Sequence, residues 1–262
     1  MTSPQPKRHA RPKRRIFLES RYQKLVRGLP QTIFYCPECK GDRRRRQDCT
    51  HCEGFGKLYK DSVQELLGRR LLPAFKAKFG KFHGAGREDV DVRMLGRGRP
   101  FVYEIVSPRK FDVDLDAVLE EFHERDGDRV RLDAFRTVER KRVAALKEAE
   151  HSKDYRAEVA FDRDVDPAAL DAVAGKTFEL VQRTPTRVAH RRGDIDRHRT
   201  VEVLAIESTG PRCCTVDMRC QHGTYVKEWI SGDDGRTTPS LAGLVECEAR
   251  CEMLDVLDIL DD

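Results

Sequence analysis

Four of the nine cysteines in this 262-residue chain fall into two Cys-x-x-Cys-x-Gly units. They are Cys36-Pro37-Glu38-Cys39-Lys40-Gly41 and Cys49-Thr50-His51-Cys52-Glu53-Gly54. Two residues between thiolates let both sulfurs reach one ion at about 2.3 Å, the following glycine permits the tight turn, and four thiolates close a tetrahedral site suited to structural zinc. A closed site leaves no position open for substrate, so the metal would hold the fold and present the loop between the doublets, Arg43 to Arg46. A redox pair is disfavoured because the doublet occurs twice. A deaminase centre is disfavoured because no His-x-Glu element accompanies the cysteines. Cys213, Cys214, Cys220, Cys247 and Cys251 lack doublet spacing and read mostly as buried apolar residues. The second group with chemical potential is Gly86-Arg87-Glu88-Asp89-Val90-Asp91-Val92-Arg93-Met94-Leu95, followed by Gly96-Arg97-Gly98-Arg99-Pro100-Phe101. It sets the Asp89 carboxylate among arginines at the mouth of a predicted strand, where a rigid sheet meets a loop and working side chains are common.

These residues need elements to hold them. Val90, Val92 and Met94 alternate with Asp91 and Arg93, the period of a half-buried strand. Val102, Ile105 and Val106 suggest a second strand, and the Gly/Pro-rich segment between them reads as a hairpin. On that pattern Asp91 shares the face of Asp89, so periodicity leaves both as candidates. Val63, Leu66, Leu67, Leu71 and Leu72 recur at helical spacing. Leu115, Val118, Leu119 and Phe122 make another helical face behind Asp114, and Val143, Leu146 and Lys147 lie in a helix-favouring stretch. Tyr155, Ala157, Val159 and Phe161 alternate as a strand, Asp166-Pro167 starts a short helix, and further strands are expected at 178–181, 201–206 and 214–219, with 224–230 helical. The class is therefore α+β, with a mixed, mainly antiparallel sheet flanked by helices. Three regions are expected: a basic, partly flexible lead-in over 1–30, a four-cysteine zinc unit over 31–60, and the main domain over 61–262.

The charged fraction is 36%, yet 50 Lys plus Arg against 45 Asp plus Glu leave a net charge of only +5. Distribution says more. Lys7, Arg8, Arg11, Lys13, Arg14 and Arg15 form one basic cluster, Arg43 to Arg46 a second, and Arg187, Arg191, Arg192, Arg197 and Arg199 a third beside His190 and His198. With a pI near 8.7, three clusters favour a nucleic-acid partner. No apolar run approaches a membrane span and no apolar core follows the basic N-terminus, so a soluble, cytoplasmic protein with reduced thiols is expected.

The Asp89 motif, with Gly98-Arg99-Pro100-Phe101, resembles that of archaeal tRNA pseudouridine synthases of the Pus-ten family. Three other stretches resemble the same family: Arg21-Tyr22-Gln23-Lys24-Leu25-Val26-Arg27-Gly28-Leu29-Pro30-Gln31-Thr32; Lys153-Asp154-Tyr155-Arg156-Ala157; and Thr224-Tyr225-Val226-Lys227-Glu228-Trp229, continuing into Gly235-Arg236-Thr237-Thr238-Pro239-Ser240-Leu241. They occur in matching order over roughly residues 20 to 260. The resemblance implies a pseudouridine synthase fold for 61–262 and an isomerase that turns uridine into pseudouridine in tRNA, at positions 54 and 55 of the TΨC arm, without an organic cofactor. It makes Asp89 the catalytic carboxylate, with Asp91 as rival. Arg87 or Arg156 would keep that carboxylate charged. Tyr155 would be the platform on which the base stacks, Tyr225 a wall of the pocket, Lys227 a contact to phosphate or to Asp89, and Leu244 or Leu254 part of the apolar wall. Arg87 would also belong to the substrate-binding set. Members usually carry a large N-terminal RNA-binding region, whereas about 35 residues precede the first doublet here. The basic clusters or a separate partner would then supply that surface. The alternative expectation is a non-catalytic, zinc-containing RNA-binding protein.

Overall fold

The computed structural model describes residues 14–191 and 193–261. Most of the first basic cluster (Lys7, Arg8, Arg11, Lys13) and Arg192 of the third lie outside the described residues.

Eleven strands among these residues join one sheet. They are β1 (Arg15–Lys24), β2 (Phe79–Gly84), β3 (Arg93–Val106), β4 (Val130–Leu132), β5 (Arg136–Val138), β6 (Lys153–Phe161), β7 (Thr177–Arg183), β8 (Asp196–Gly210), β9 (Cys213–Cys220), β10 (Thr237–Thr238) and β11 (Ala249–Ile259). The order is β10-β7-β8-β9-β6-β11-β3-β1-β4, with β2 also on β3 and β5 also on β1. Every pairing is antiparallel except β11 with β3, a short parallel contact at Asp255↔Arg93 and Val256↔Met94. The sheet is thus two antiparallel halves joined at a seam, and the Asp89 loop runs straight into that seam. The helices are α1 (Val63–Ala74), α2 (Leu115–Asp126), α3 (Lys141–Glu148), α4 (Pro167–Asp171), α5 (Val226–Ser231) and α6 (Leu241–Leu244). Their N-caps follow the chemistry of the sequence: the side chains of Ser62, Asp114, Asp166 and Ser240 accept from backbone N–H groups of the first turns of α1, α2, α4 and α6. Among the described residues no helix is long and apolar enough to cross a membrane.

The expected class holds: a mixed, mainly antiparallel sheet flanked by helices. Two local expectations do not. The hairpin anticipated between 90–94 and 102–106 is instead one long strand, β3, and Val90 and Asp91 belong to the turn before it. Gly96 (φ +53°) and Gly98 (φ +75°) do not reverse the chain; they make a bulge, so that Tyr22 faces Arg99 while Lys24 faces Met94. The lead-in anticipated over 1–30 is, from Arg15 onward, strand β1. It pairs with β3, β4 and β5 and buries Leu18 and Tyr22 completely. The same core holds Leu66, Leu67, Phe101, Val216 and Trp229, so it runs across both halves of the sheet.

Candidate active site and cysteine centre

Four polar side chains in the interior set the shape of the Asp89 loop. Glu88, Arg99, Tyr22 and Lys24 are all buried, Arg99 to 1% exposure. The Arg99 Nε donates to Glu88 Oε2 at 2.8 Å and its Nη1 to the Ala85 carbonyl at 2.7 Å. The Tyr22 hydroxyl donates to Glu88 at 2.8 Å and itself accepts from Gln31 Nε2 at 2.8 Å. Lys24 Nζ lies 3.7 Å from Glu88 and donates to the carbonyls of Leu29 (2.9 Å), Asp89 (3.1 Å) and Val90 (3.3 Å). Burying a charge is tolerable only when it is paired and hydrogen-bonded, and here both conditions are met. Burial, reinforced by the Glu88 charge, pushes the Tyr22 hydroxyl well above its ordinary pKa; burial lowers Lys24 despite the opposing pull of Glu88. Arg27 grips the far side of the loop, donating to the Asp91 carbonyl at 2.8 Å and to Asp255 at 2.7 Å, while Arg93 forms two bonds to Asp255 across the seam.

With Glu88 turned inward, its neighbour Asp89 faces out, its side chain 42% exposed, into a cleft of about 500 Å³ at the seam. The cleft brings together Asp89, Arg87, Tyr155, Tyr225 and Lys227. Arg187 from the turn after β7 lies 3.3 Å from Asp89 Oδ2, and Lys227 Nζ lies 3.9 Å from the same atom. Lys227 bonds more closely to Asp91 Oδ2, at 2.7 Å. Although burial works to raise it, that bond holds the Asp91 carboxyl below its ordinary range. Asp91 and Asp89 flank one ammonium, but Asp89 alone of the two lines the cleft. Tyr155 is half-buried, and burial pushes its hydroxyl well above the ordinary value. Tyr225 caps α5; its N–H and carbonyl are both held by the Gln182 side-chain amide, and the Arg197 guanidinium lies 5.9 Å from its ring.

The expected guardians of the Asp89 charge are engaged elsewhere. Arg87 is exposed at the cleft rim with its guanidinium 5.3 Å from the Phe34 ring centre, and Arg156 makes two bonds to Asp217 at 2.7 and 2.6 Å. Their place is taken by Arg187 and Lys227. Leu254 lines the cleft beside Val256, whereas Leu244 lines a separate hollow of about 930 Å³ near Pro239. Arg187 counted in the sequence only as part of a basic cluster. Glu88, Lys24, Lys153 and His222 gave no sequence signal of their own, because what marks them is burial and cross-sheet contact.

The four sulfurs of Cys36, Cys39, Cys49 and Cys52 lie within 4.8 Å of one another, with Cys36 and Cys49 at 3.8 Å and Cys39 and Cys52 at 3.7 Å. Both doublets turn through two left-handed residues, Lys40 (φ 53°) then Gly41 (72°), and Glu53 (49°) then Gly54 (80°). At Gly41 a Cβ would come 2.5 Å from the Tyr35 ring, which leaves glycine as the residue that fits. The Gly56 N–H donates to Cys52 Sγ at 3.1 Å. This group could bind a metal ion, and Arg43 to Arg46 stand exposed between the doublets.

Residues 17–260 match the family described as Pus10, C-terminal. The tRNA pseudouridine synthase Pus10 of Methanopyrus kandleri is 46% identical over 97% of this chain and 57% of its own length. That of Methanothrix thermoacetophila is 42% identical over 93% of this chain and 53% of its own length, and that of Archaeoglobus fulgidus 42% identical over 94% and 67%. The chain thus spans between about half and two thirds of the length of these relatives. Among solved structures, a chain of a Cbf5-Nop10-Gar1 complex shows a partial, distant likeness, with a TM-score of 0.42 at 18% identity over 76% of this chain and 44% of that one.

Proposed function

The chain belongs to the Pus10 family, and from that premise we propose that it isomerises uridine to pseudouridine in tRNA, with Asp89 as the catalytic carboxylate. The observation that carries this reading is the placement of Asp89: half exposed in a cleft of about 500 Å³, with cations at 3.3 and 3.9 Å from one oxygen. Arg187 and Lys227 set two positive charges beside that oxygen. In the reaction the bond from uracil N1 to ribose C1′ breaks, the base turns, and C5 bonds to C1′; the proton leaves C5 and N1 gains one. Two routes use the same ionised oxygen, attack on C1′ or removal of a sugar proton to give a glycal-like intermediate. The exchange is internal and without net redox change, so no organic cofactor is needed.

A uridine reaches Asp89 by leaving its stack, at a cost of a few kcal/mol that the pocket must offset. Tyr155 offers the flipped base its ring, Tyr225 bounds the opening, and Lys227 bridges the two aspartates and reaches toward phosphate. Arg87, resting on Phe34 at the rim, is placed to meet the RNA backbone. The targets are uridines 54 and 55 of the TΨC arm, and with a tRNA substrate the protein works in the cytoplasm. The unit over 31–60 binds one structural zinc through Cys36, Cys39, Cys49 and Cys52, and 61–262 together with β1 forms the catalytic domain.

The test is incubation of pure protein with a tRNA transcript and no added cofactor, followed by nucleotide mapping. The expected result is pseudouridine in the TΨC arm, lost in Asp89→Asn while tRNA binding persists. Full activity in that variant would move the role to Asp91. Salt-sensitive binding by the unaltered protein with no product would mark a non-catalytic RNA-binding protein.

A further inference from the structure

We propose that the part of the cleft formed by Lys153 and His222 is a subsite that reads the O4 and N3–H edge of the flipped uracil and so selects uridine over cytidine. The proposal rests on the pseudouridine synthase reading. Lys153 stands on β6 two residues before Tyr155, on the same face, and both line the cleft. Its Nζ donates to the His151 carbonyl at 2.8 Å and forms no ion pair among the described residues. The cations at the other end are all engaged: Arg187 with Asp89 and Glu228, Lys227 with Asp91, Arg99 with Glu88. His222, in the loop between β9 and α5, also lines the cleft, and its Nδ1 is buried with no hydrogen-bond partner among the described residues. A half-buried ammonium without a counter-charge, beside a buried ring nitrogen without a partner, implies a ligand that satisfies both.

The geometry of a bound nucleoside agrees. Tyr155 stands two residues from Lys153 on β6 and lines the same cleft as Asp89, Lys153 and His222. A ribose held at Asp89 and a ring stacked on Tyr155 point the far edge of the base at Lys153 and His222. On uracil that edge offers an acceptor, O4, beside a donor, N3–H; on cytosine the two are reversed. An ammonium has only donors, so it satisfies O4 and confronts the cytosine amino group with a second donor. Burial, then the charge of Lys153, lowers His222 and favours neutral imidazole, whose unprotonated nitrogen accepts N3–H. A site built to bond one pattern rejects the inverse by leaving its own buried groups unpaired.

Lys153 is brought down to about 8 by burial and the Arg99 charge against the pull of Cys220. The other titratable groups around this end are His222 and His151, with Glu150 and Arg199 beside His222. From β11 the residue opposite Lys153 is Ile259, which carries no charge. The ammonium is therefore present below about pH 8 and lost above it. The kcat/KM of the unaltered protein on a tRNA transcript should fall as pH rises through that value, since kcat/KM reports the free enzyme. Lys153→Met should lower kcat/KM by roughly 10- to 100-fold, as for loss of a hydrogen bond to a charged donor, keep tRNA affinity, and lack the alkaline limb. Lys153→Arg should keep activity above about pH 9, because a guanidinium stays protonated there, which a packing role alone would not explain. Replacing the target uridine by 4-thiouridine, a poorer acceptor at position 4, should slow the unaltered protein and leave Lys153→Met no slower than with uridine.

Equal slowing of both proteins by the thio substitution, or a Lys153→Met enzyme with undiminished kcat/KM and an intact alkaline limb, would overturn the subsite alone. Should Lys153→Met fail to fold, Lys153→Arg and the pH profile of the unaltered protein decide: an alkaline limb that survives in Lys153→Arg assigns the titration to another group and overturns the proposal. An unaltered protein that forms no pseudouridine at any pH removes the reading on which the subsite rests.

Discussion

Glu88 and Asp89 are adjacent carboxylates with opposite surroundings. Glu88 is enclosed by Arg99, Tyr22 and Lys24 and makes no approach to solvent, whereas Asp89 faces the cleft. Their variants should separate accordingly. Glu88→Gln leaves Arg99 and Lys24 in the interior without a counter-charge, a change that typically costs about 3–5 kcal/mol. A clear fall in melting temperature is expected, together with loss of activity as the Asp89 loop slackens. Asp89→Asn removes an exposed charge between two cations and should leave the melting temperature nearly unchanged while turnover disappears. Thermal melts beside the mapping assay check both, and a Glu88→Gln protein as stable as the parent would show that the buried cluster does not hold the loop. Asp89, Tyr155, Tyr225 and Lys227 were legible in the sequence because the resemblance carries them as local motifs, and the cysteines because their spacing is itself the signal. Arg187 was not legible as the neighbour of Asp89, since a contact between distant segments leaves no local pattern. Arg87 misled for a related reason: proximity in sequence suggested an ion pair, but Phe34 offers its guanidinium an aromatic face instead.

At the level of elements, the site depends on how β3 enters the seam. The bulge at Gly96 and Gly98 lets β3 run against β1 and still place Arg93 opposite Asp255 on β11. Gly98 has φ +75°, and a Cβ there would lie 2.7 Å from the Tyr22 carbonyl; at Gly96 a Cβ would collide with the Leu257 carbonyl. Gly98→Ala combines a disfavoured backbone with a clash against main chain, so destabilisation of roughly 2 kcal/mol or more is expected. Denaturant titration of the variant measures it, and an unchanged midpoint would mean that the bulge is not needed. In the sequence the same glycines read as a hairpin because left-handed residues serve turns and bulges alike. Helices α1 and α2 were legible because a long amphipathic period and a capping side chain agree. Strand β1 was hidden by its polar residues: Glu19 and Ser20 follow Leu18 yet are themselves buried, Glu19 held by Arg136 and Arg142 from the region of β5 and α3. Strand β11 was hidden by register shifts at Cys251/Met253 and Val256/Asp258, which break its period of two.

Across the whole molecule, the cysteine unit and the sheet are two bodies of unequal cohesion. Cys36, Cys39 and Cys49 form a small cluster separate from the large core, and the described links to the sheet domain include Gln31 bonded to the Tyr22 hydroxyl and the Gly86 carbonyl, Arg87 on Phe34, and Lys57 bonded to Glu65 of α1. A unit of this size has little apolar surface of its own, and on the proposed zinc reading metal binding supplies its folding energy. Elemental analysis of fresh protein should find one zinc per chain. Removing it with a chelator, or replacing Cys39 by Ser, should open the 34–60 segment to protease while the main thermal transition, set by the sheet core, stays near its original temperature. Because Arg43 to Arg46 are displayed by that unit and Arg87 leans on its base, the same treatment should weaken tRNA binding and flatten its dependence on salt, by about 0.7–0.9 in the log–log slope for each phosphate no longer neutralised. A single transition that collapses with the metal would instead mean that the unit and the sheet fold as one. Unchanged salt dependence would place the phosphate-binding cations elsewhere, among the arginines around β7 and β8.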